Sequence, residues 1–370
     1  MNWTLVVSNE GLATALEALA NAREIAVDTE FMRRSSYYPH VALLQLCGDE
    51  HAWLIDPLKV DALDGLRSLM VDPARQKILH SCSEDLEVFR HWLGVLPDPL
   101  VDTQRAAALL GMGFGMGYRT LIQELLGIEL DKGETRSDWL RRPLTESQCS
   151  YAAQDVLHLL PAWRILRDRA LDQARMPWLL EEGAEARHML AEREQDIYRR
   201  VKSASRLPPR QLAVLEQLCN WREGRARDSD TPRGWVLDDK ACIAISQAMP
   251  ENMAALGALE AIPAGVLRKQ GEKILTMVEN CRGLDADSLP AALNGSLSPS
   301  QRTLLKQVRG TARGLAEPLG VAPEILASGS DLELLVREAT GETIEVPRRW
   351  LGWRADAVIA PLRVAIGGVA

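Results

Sequence analysis

The 370-residue sequence lacks the features that would place it in a membrane or an oxidising compartment. No apolar run approaches the roughly 20 residues of a membrane-spanning helix. The start, Met1-Asn2-Trp3-Thr4, lacks the basic residues and apolar stretch of a signal peptide. Six cysteines are scattered without a C-x-x-C pair, which indicates neither a disulfide framework nor a zinc site. We therefore expect a cytoplasmic protein with reduced, mostly buried thiols.

Several enzyme motifs are missing as well. The six histidines have no metal-ligand spacing, and no G-x-S-x-G or Cys/His nucleophile pattern is present. The glycine-rich residues 111–117 lack the Lys-Ser/Thr of a P-loop and follow a predicted helix rather than a strand. We interpret them as a flexible loop near a substrate channel, not as a nucleotide-binding loop.

An excess of basic residues is also absent. The 51 acidic residues outnumber 43 lysines and arginines, which gives a net charge of −8. Proteins that bind nucleic acid mainly by neutralising phosphates are usually basic, so any basic surface here must be local. The acidic total is compatible with a metal-dependent enzyme, because carboxylates that hold a cation count as −1 until it binds.

The first 160 or so residues have the pattern of an α/β domain. Short alternating or apolar runs predict strands at residues 24–31, 41–47, 53–56, 77–80 and 100–102. Helices are expected at residues 84–93, from the last strand to Leu110, and at residues 145–166. This order of elements indicates a sheet flanked by helices.

The rest of the chain has a helical pattern. Pro208-Pro209 and Ser298-Pro299 open two stretches of similar rhythm, which we interpret as a weak repeat of one small helical module. We expect Trp221 and Trp235 to form the core of the first module. The predicted division is residues 1–165, a helical connector at 166–206, and helical domains at 207–288 and 289–370.

Three short segments of the α/β region carry acidic residues at informative positions. Asp28 and Glu30 are two residues apart on a predicted strand, so they project from the same face. Asp85 lies in the first turn of a helix that Ser81 and Glu84 are expected to cap. Tyr151 and Asp155 share one face of the helix that Thr145 and Gln148 cap.

Each segment alone has an ordinary structural explanation. A D-x-E pair is common on solvated edge strands, an acid at a helix start meets the positive end of the dipole, and a Tyr can pack beside an Asp. Together, the four carboxylates form an oxygen-rich ligand set of the kind that Mg²⁺ or Mn²⁺ prefers. Two such ions can flank a phosphodiester, with one activating water and the other stabilising the leaving oxygen. Tyr151 would then orient the attacking water.

These segments resemble the three motifs of the DEDD exonuclease superfamily. VDTEF, HSCSEDLEVF and YAAQDVLHL occur in the expected order, and Tyr151 four residues before Asp155 is typical of the tyrosine branch. The flanking sequences at residues 37–39, 54–58, 101–104, 130–132 and 137–140 are similar to the ribonuclease D family within it. The helical modules resemble the HRDC domains that follow the nuclease domain in that family.

The resemblance implies a specific fold and activity. It implies an α/β ribonuclease-H-like 3′–5′ exonuclease domain followed by two small all-α HRDC-like domains. It further implies two divalent ions, Mg²⁺ or Mn²⁺, held by Asp28, Glu30, Asp85 and Asp155. The expected reaction is 3′→5′ hydrolysis of RNA to nucleoside 5′-monophosphates, with tRNA precursors and other small structured RNAs as substrates. We expect a monomer that does not bind membranes.

For five further residues the sequence is compatible with more than one role. Asp102 ends a strand, and we favour a helix cap there over a metal ligand. Lys132 and Arg136 are candidates for contacts to phosphate, and Phe31 and Gln45 for contacts to the terminal nucleotide, although structural roles would explain the last two equally.

Two other functions remain open from the residues alone. A carboxylate site hydrolyses RNA or DNA, so a DNA 3′–5′ exonuclease is the first alternative. A non-catalytic nucleic-acid-binding scaffold is the second, although the intact carboxylates and Tyr151 argue against it. The bases around the first helical module form either an RNA-binding face or a solvated surface.

Overall fold

The computed structural model describes residues 2–130, 133–134, 137–192 and 195–367. The chain forms two compact units. The larger comprises the described residues of Met1–Met32, Pro39–Leu190 and Ser298–Ala370, and the smaller those of Arg33–Tyr38 and Ala191–Leu297. The C-terminal helices thus belong to the unit that contains the sheet, and the predicted division into four segments stays a prediction.

Among the residues that the structure describes, six strands form one mixed sheet in the larger unit. They are β1 (Trp3–Val6), β2 (Glu24–Met32), β3 (His40–Cys47), β4 (Ala52–Ile55), β5 (Gln76–Leu79) and β6 (Leu100–Asp102). Their order is β1-β4-β3-β2-β5-β6. β2 pairs antiparallel with β3 and parallel with β5, and so lies in the interior of the sheet. The edge-strand explanation that the acidic pair would have in isolation therefore does not hold.

Eight helices accompany the sheet in the described chain up to residue 192. They are α1 (Asn9–Ala18), α2 (Asp64–Val71), α3 (Ser83–Trp92), α4 (Thr103–Leu109), α5 (Tyr118–Leu126), α6 (Glu146–Leu157), α7 (Leu159–Asp172) and α8 (Met176–Glu192). No described helix combines the length and apolar character needed to cross a bilayer.

The two faces of β2 meet different helices. Ile25 and Val27 pack in one hydrophobic core with Leu86 and Phe89 of α3. Because side chains alternate along a strand, Asp28 and its neighbours two residues away project to the other face. There α6 packs against β2, β3 and β4. The alternation therefore directs the acidic pair of β2 toward α6.

The single helix expected at residues 145–166 is instead two helices, which makes that prediction wrong. α6 ends at Leu157, His158 is the residue between them, and α7 begins at Leu159. Pro161 lies in the first turn of α7. It has no N–H to donate to the carbonyl of Leu157, and its ring crowds that carbonyl, so an uninterrupted helix is unfavourable.

The smaller unit is helical apart from its loops. Its helices are α9 (Pro209–Asp228), α10 (Arg233–Val236), α11 (Asp239–Ala248), α12 (Met253–Gly257) and α13 (Ala264–Arg282). Trp221 packs against the core of this unit, as expected. Trp235 does not, because it lies on the single-turn helix α10 and its side chain is 67% exposed. The prediction that both tryptophans are core residues is wrong for Trp235.

The C-terminal part of the larger unit adds four α-helices to the described chain. They are α14 (Pro299–Leu319), α15 (Pro323–Leu326), α16 (Gly329–Ala339) and α17 (Ala360–Gly367). Ser298 caps α14 in a reciprocal capping box with Gln301. This part packs through Arg354, which pairs with the buried Glu182 of α8. Glu182 also accepts from Arg105 of α4, so one buried carboxylate joins three helical segments of the unit.

Candidate active site

Three carboxylates meet where β2 faces α6. Asp28 and Glu30 of β2 and Asp155 of α6 each offer a ligand oxygen, and these oxygens lie within 4.8 Å of one another. All three side chains are half-buried. The strand alternation supplies the first two, and the packing of α6 on the sheet supplies the third. The geometry therefore brings together three of the four acids that the motifs identify.

The fourth acid, Asp85, reaches this region from a different helix. It lies in the first turn of α3 and is buried. The Thr29 hydroxyl donates to Asp85 Oδ1 at 2.5 Å, which ties α3 to the strand that carries Asp28 and Glu30. Thr29 was not identified from the sequence as a site residue, and its position between two acids is the signal that was available.

The start of α3 differs from the expected capping box. Ser81 has a φ of 58°, in the left-handed region, and α3 begins only at Ser83 without a side-chain cap. Because the helix starts two residues after Ser81, that hydroxyl is out of position for the Ser81–Glu84 box, and the prediction is wrong. Asp102 instead accepts from the backbone N–H groups of Ser81 and Cys82, at 2.9 and 3.1 Å.

Asp102 is confirmed as a helix cap. Its carboxylate accepts from Gln104 N at 2.9 Å and so caps α4. With the two donors before α3, three backbone N–H groups converge on this one side chain. Asp102 therefore holds the start of two helices, which agrees with the preference for a capping role over a metal role.

The start of α6 follows the sequence pattern. Thr145 and Gln148 form the reciprocal capping box that was predicted. Their bonds fix where the helix begins, and the helical period then places Tyr151 and Asp155 one turn apart on the same face. Tyr151 is half-buried beside the acids.

The acids have strongly perturbed protonation. Burial raises the pKa of Asp28 well above its usual range, and the three neighbouring carboxylates raise it further. Burial and the charges of Asp155 and Asp85 raise the pKa of Glu30 to about 9. Burial alone raises the pKa of Asp155 to about 7. Burial raises the pKa of Asp85 to about 6, against the lowering effect of the Thr29 hydrogen bond.

This electrostatic strain fits a cation-binding role. Like charges at this separation repel unless a cation lies between them or protons neutralise them. The donor set consists of oxygens only, as Mg²⁺ and Mn²⁺ prefer. Gln45 of β3 lies opposite Asp28 of β2 and is fully buried. Neither the oxygen nor the nitrogen of its side-chain amide has a hydrogen-bond partner, so the site contains polar atoms without protein partners. The residues present therefore suit hard divalent cations.

Tyr151 is held between two neighbours. The ring of Trp139 lies 6.1 Å from that of Tyr151, centroid to centroid. On another side, a Cβ at Gly133 would collide with the Tyr151 ring, so the backbone of residue 133 approaches the ring closely. Burial and the charges of Asp155, Glu30 and Asp28 raise the pKa of the Tyr151 hydroxyl. Tyr151 therefore stays protonated at neutral pH and is able to donate a hydrogen bond.

Arg142 anchors the loop that carries Trp139. Its guanidinium donates to both carboxylate oxygens of the buried Asp56, at 2.7 and 2.9 Å. It also donates to the carbonyl oxygens of Trp139 and Ala42, each at 2.6 Å. Arg142 was not identified from the sequence. Arg142 and Asp56 are 86 residues apart in the sequence, so their bidentate pair produces no local sequence pattern and only the tertiary structure reveals it.

A cavity of about 280 Å³ lies beside Tyr151 and Asp155. Gly117, the last residue of the glycine-rich stretch, contributes to its wall. Arg119 of α5 also lines it, is exposed, and donates through Nε to the carbonyl of Leu130. Asp155 is the carboxylate that lines the cavity, and the volume is large enough for part of a nucleotide.

The predicted substrate contacts have varied positions. Phe31 is half-buried at the end of β2, where the pairing with β3 is irregular. Gln45 has no exposed surface, so it cannot touch a nucleotide in this conformation. Lys132 and Arg136 lie outside the described residues.

Comparisons with known proteins agree with this architecture. The family model for 3′-5′ exonucleases matches residues 4–170, and the HRDC domain model matches residues 211–278. Ribonuclease D of Pseudomonas paraeruginosa is 43% identical over 336 residues, which is 90% of this chain and 89% of the relative. Ribonuclease D of Escherichia coli is 35% identical over 98% of both chains.

The fold is also similar to a solved structure over its whole length. The crystal structure of Escherichia coli RNase D, described as an exoribonuclease involved in structured RNA processing, superposes with a TM-score of 0.92. The match has 34% sequence identity and covers 100% of this chain and 99% of the other. With its acidic site, its exonuclease and HRDC matches and these full-length relatives, the chain belongs to the ribonuclease D family of 3′–5′ exoribonucleases.

Proposed function

We propose that this enzyme removes nucleotides from the 3′ end of RNA by a two-metal mechanism and releases nucleoside 5′-monophosphates. The observation that carries the proposal is the meeting of the Asp28, Glu30 and Asp155 oxygens within 4.8 Å beside Tyr151. At pH 7 the raised pKa values leave Glu30 mostly protonated and Asp155 about half protonated, and a cation that binds here displaces those protons.

Each residue has a distinct proposed role. Asp28, Glu30, Asp85 and Asp155 hold two divalent cations, Mg²⁺ or Mn²⁺. When bound, such ions activate the attacking water and stabilise the leaving oxygen. Tyr151, kept protonated by its surroundings, orients the attacking water through its hydroxyl. Thr29 keeps Asp85 in place through their hydrogen bond.

The cavity beside Asp155 is the proposed position of the nucleotide next to the scissile bond. Its polar wall includes Arg119 and Thr120, and the ring of Tyr118 adds an aromatic surface. Lys132, Arg136 and Phe31 remain proposed contacts to the substrate. Gln45 is not part of the proposed nucleotide contact, because it is fully buried.

The proposed substrates are tRNA precursors with extra 3′ nucleotides and other small structured RNAs. The support is the full-length similarity to the Escherichia coli enzyme, which is described as processing structured RNA. We also propose a monomer in the cytoplasm. All six cysteines are free and buried, as expected in a reducing compartment.

A paired digestion tests the proposal. The purified protein is incubated with 3′-labelled and 5′-labelled RNA and DNA of one sequence, with Mg²⁺, Mn²⁺ or EDTA. Stepwise shortening of RNA from its 3′ end, abolished by EDTA, is the expected result. Equal or faster shortening of DNA would make the enzyme a DNA exonuclease, and binding without cleavage of either would make it a scaffold.

A further inference from the structure

A row of basic side chains runs along α14 of the C-terminal part. Arg302, Lys306, Arg309 and Arg313 occur at intervals of four, three and four residues. With 3.6 residues per turn, these positions fall within an arc of about 60° around the helix, over a rise of about 16 Å. We call this set the α14 stripe.

The α14 stripe is exposed and unpaired. All four side chains are exposed, and within the described chain none of them takes part in an ion pair or side-chain hydrogen bond. Three other arginines of the same C-terminal part behave differently, because each has a carboxylate partner at 2.7–2.8 Å. These are Arg337 with Glu342, Arg349 with Asp331 and Arg363 with Glu338. The α14 stripe is therefore not explained by ion pairing within the fold.

The packing of α14 fixes where the stripe points. Leu305, Val308, Ala312 and Ala316 are buried on the adjoining face of the helix, so α14 cannot rotate without exposing them. The exposed positions that flank the stripe, Thr303, Gln307, Gly310 and Gly314, are uncharged, and the two glycines present no side chain. The single acidic residue of α14, Glu317, lies one turn after Arg313 on the same side of the helix and therefore ends the stripe. The result is a narrow positive surface on a protein of net charge −8.

The chemistry of the stripe fits a sugar-phosphate backbone. Three of the four residues are arginines, whose planar guanidinium binds phosphate oxygens in a bidentate manner. No aromatic side chain interrupts the row, so it offers no stacking surface for bases. Contacts of this kind bind nucleic acid without reading its sequence. Because the protein has a net negative charge, a local row of positive charge favours contact with a polyanion at this position.

We propose that the α14 stripe binds the phosphate backbone of the folded body of the substrate RNA. This inference rests on the proposed function in taking RNA as the ligand, and it adds a surface outside the carboxylate site. The stripe retains a structured RNA while its 3′ end is processed. Short single-stranded RNAs do not need it, because they have no folded body to bind.

A charge-removal variant of the full chain tests this proposal. Arg302, Lys306, Arg309 and Arg313 are all changed to Gln, and binding to a hairpin RNA with a single-stranded 3′ tail is measured in EDTA over a range of salt. Each phosphate contact contributes about 0.9 to the slope of log K against log salt. We expect the slope to fall by about 3 and the affinity at low salt to fall at least about tenfold.

Two matched variants separate position from charge. Changing the exposed Lys59, Arg164, Lys202 and Arg206 to Gln removes the same formal charge elsewhere, and this variant should bind the hairpin like the wild type. Changing Arg302, Arg309 and Arg313 to Lys keeps the charge and should retain most of the salt dependence. Equal losses in the stripe and control variants, or an unchanged slope in the stripe variant, would overturn the proposal.

Cleavage and lipid measurements complete the test. The stripe variant should keep the wild-type kcat on a short single-stranded RNA, with the loss confined to the hairpin substrate. If it binds RNA normally but no longer binds vesicles containing phosphatidylglycerol, the stripe is a lipid surface and the proposal is wrong. Failure of the wild-type protein to cleave any RNA would contradict the proposed function, whereas an undiminished hairpin affinity would contradict the stripe.

Discussion

Substitution of Tyr151 should affect the enzyme differently from substitution of the carboxylates around it. The acids define the electrostatics of the site, because each raises the pKa of at least one neighbour. The hydroxyl of Tyr151 adds no charge at neutral pH, since burial and the same acids raise its pKa. Substitutions at the two kinds of position should therefore have different kinetic and binding signatures.

The first prediction concerns Asp155 and Tyr151. Asp155→Asn should lower kcat by at least about 1,000-fold, because loss of a ligand removes several kcal/mol of cation-supplied stabilisation. Tyr151→Phe should keep Mn²⁺ affinity and lower kcat by about 100-fold, through imprecise placement of water. Single-turnover kinetics and calorimetric Mn²⁺ titration measure both effects. Glu146→Gln, an exposed change on the same helix, is the control.

Well-folded Asp155→Asn protein with near-normal turnover would refute the two-metal assignment. Unchanged cleavage by Tyr151→Phe would instead remove Tyr151 from the mechanism and leave the carboxylate roles intact. Thermal unfolding of each variant establishes that the fold survives.

The second prediction is that the metal-free protein loses stability as the pH rises. Folding raises the pKa of Asp85 to about 6, of Asp155 to about 7 and of Glu30 to about 9. A carboxyl group with a raised folded pKa binds more protons in the folded state than in the unfolded state. The contribution of that group to the free energy of unfolding is therefore complete when the pH is below its pKa in the unfolded state. The contribution is lost as the pH rises through its pKa in the folded state.

Thermal unfolding at pH 5.5, 7 and 8.5 measures this effect. In EDTA, Tm should fall across the series because the ionised acids repel one another. With Mn²⁺ the fall should be smaller, since the cation replaces the protons, and the stabilisation by metal should be largest at pH 8.5. Glu30→Gln should flatten the upper part of the profile in EDTA. A metal effect that is largest at pH 5.5 would contradict the electrostatic account.

Between elements, the structure connects Tyr151 to the sheet through a loop. Arg142 joins Asp56, at the end of β4, to the carbonyl of Trp139, and the ring of Trp139 packs beside Tyr151. Asp56 is 2% exposed, so its charge depends on the arginine for compensation. The segment that carries Trp139 is thus held close to the helix that carries Tyr151 and Asp155.

The third prediction concerns Arg142 as a positioning residue. Arg142→Lys keeps the charge but cannot bind both Asp56 oxygens and two carbonyls, so stability should fall by about 1–3 kcal/mol. It should also lower kcat more than it changes KM, because the support of Tyr151 loosens. In a double-mutant cycle, Arg142→Lys should slow the Tyr151→Phe enzyme less than it slows the wild type.

Chemical denaturation and steady-state kinetics on a short RNA provide the measurements. Arg141→Lys, an exposed neighbour, is the matched control. Strict additivity of the two rate effects would show that Arg142 acts on stability alone and does not position Tyr151.

Over the whole molecule, the C-terminal helices are joined to the rest of the sheet-containing unit by a buried ion cluster. Glu182 lies between Arg105 and Arg354, which hold the pKa of its carboxyl below the usual range despite burial. The Trp353 ring stacks on Trp178 of α8, with centroids 4.3 Å apart. In α8, Gly183 allows close packing, because a Cβ there would collide with the carbonyl of Leu100.

The fourth prediction is that this cluster supports the stability of the sheet-containing unit. Glu182→Gln leaves two arginines without their buried partner and should lower the free energy of unfolding by about 3–5 kcal/mol. Glu192→Gln, exposed near the end of the same helix, should change it by less than about 0.5 kcal/mol. Denaturant unfolding of the two variants makes the comparison, and equal stability would refute the role of the cluster.

Deletion of residues 298–370 should be destabilising for the same reason. It removes Arg354 and Trp353 and uncovers the apolar surface of α8. A reduced RNA affinity of such a truncated protein would therefore have two causes that cannot be separated, namely lower stability and loss of the α14 stripe. Point substitutions on α14 avoid this problem.

Much of the local structure followed from the sequence alone. Strand alternation put Asp28 and Glu30 on one face, and the Thr145–Gln148 box fixed the phase of α6 and hence the shared face of Tyr151 and Asp155. These features depend on neighbours within four residues, which a sequence displays directly. Pro161 also indicated the helix break at His158. The sequence nevertheless favoured a single helix, because the helical spacing of apolar residues continues from α6 into α7.

Other features were decided only by tertiary structure. The sequence does not show that Asp155 lies within 4.8 Å of two acids on β2, that Thr29 holds Asp85, or that Glu182 joins the C-terminal helices. A residue's own element determines the face on which it lies, whereas packing determines which faces meet. Packing depends on the shapes of surfaces far apart in the chain, and so the complete site existed only once the sheet and helices had assembled.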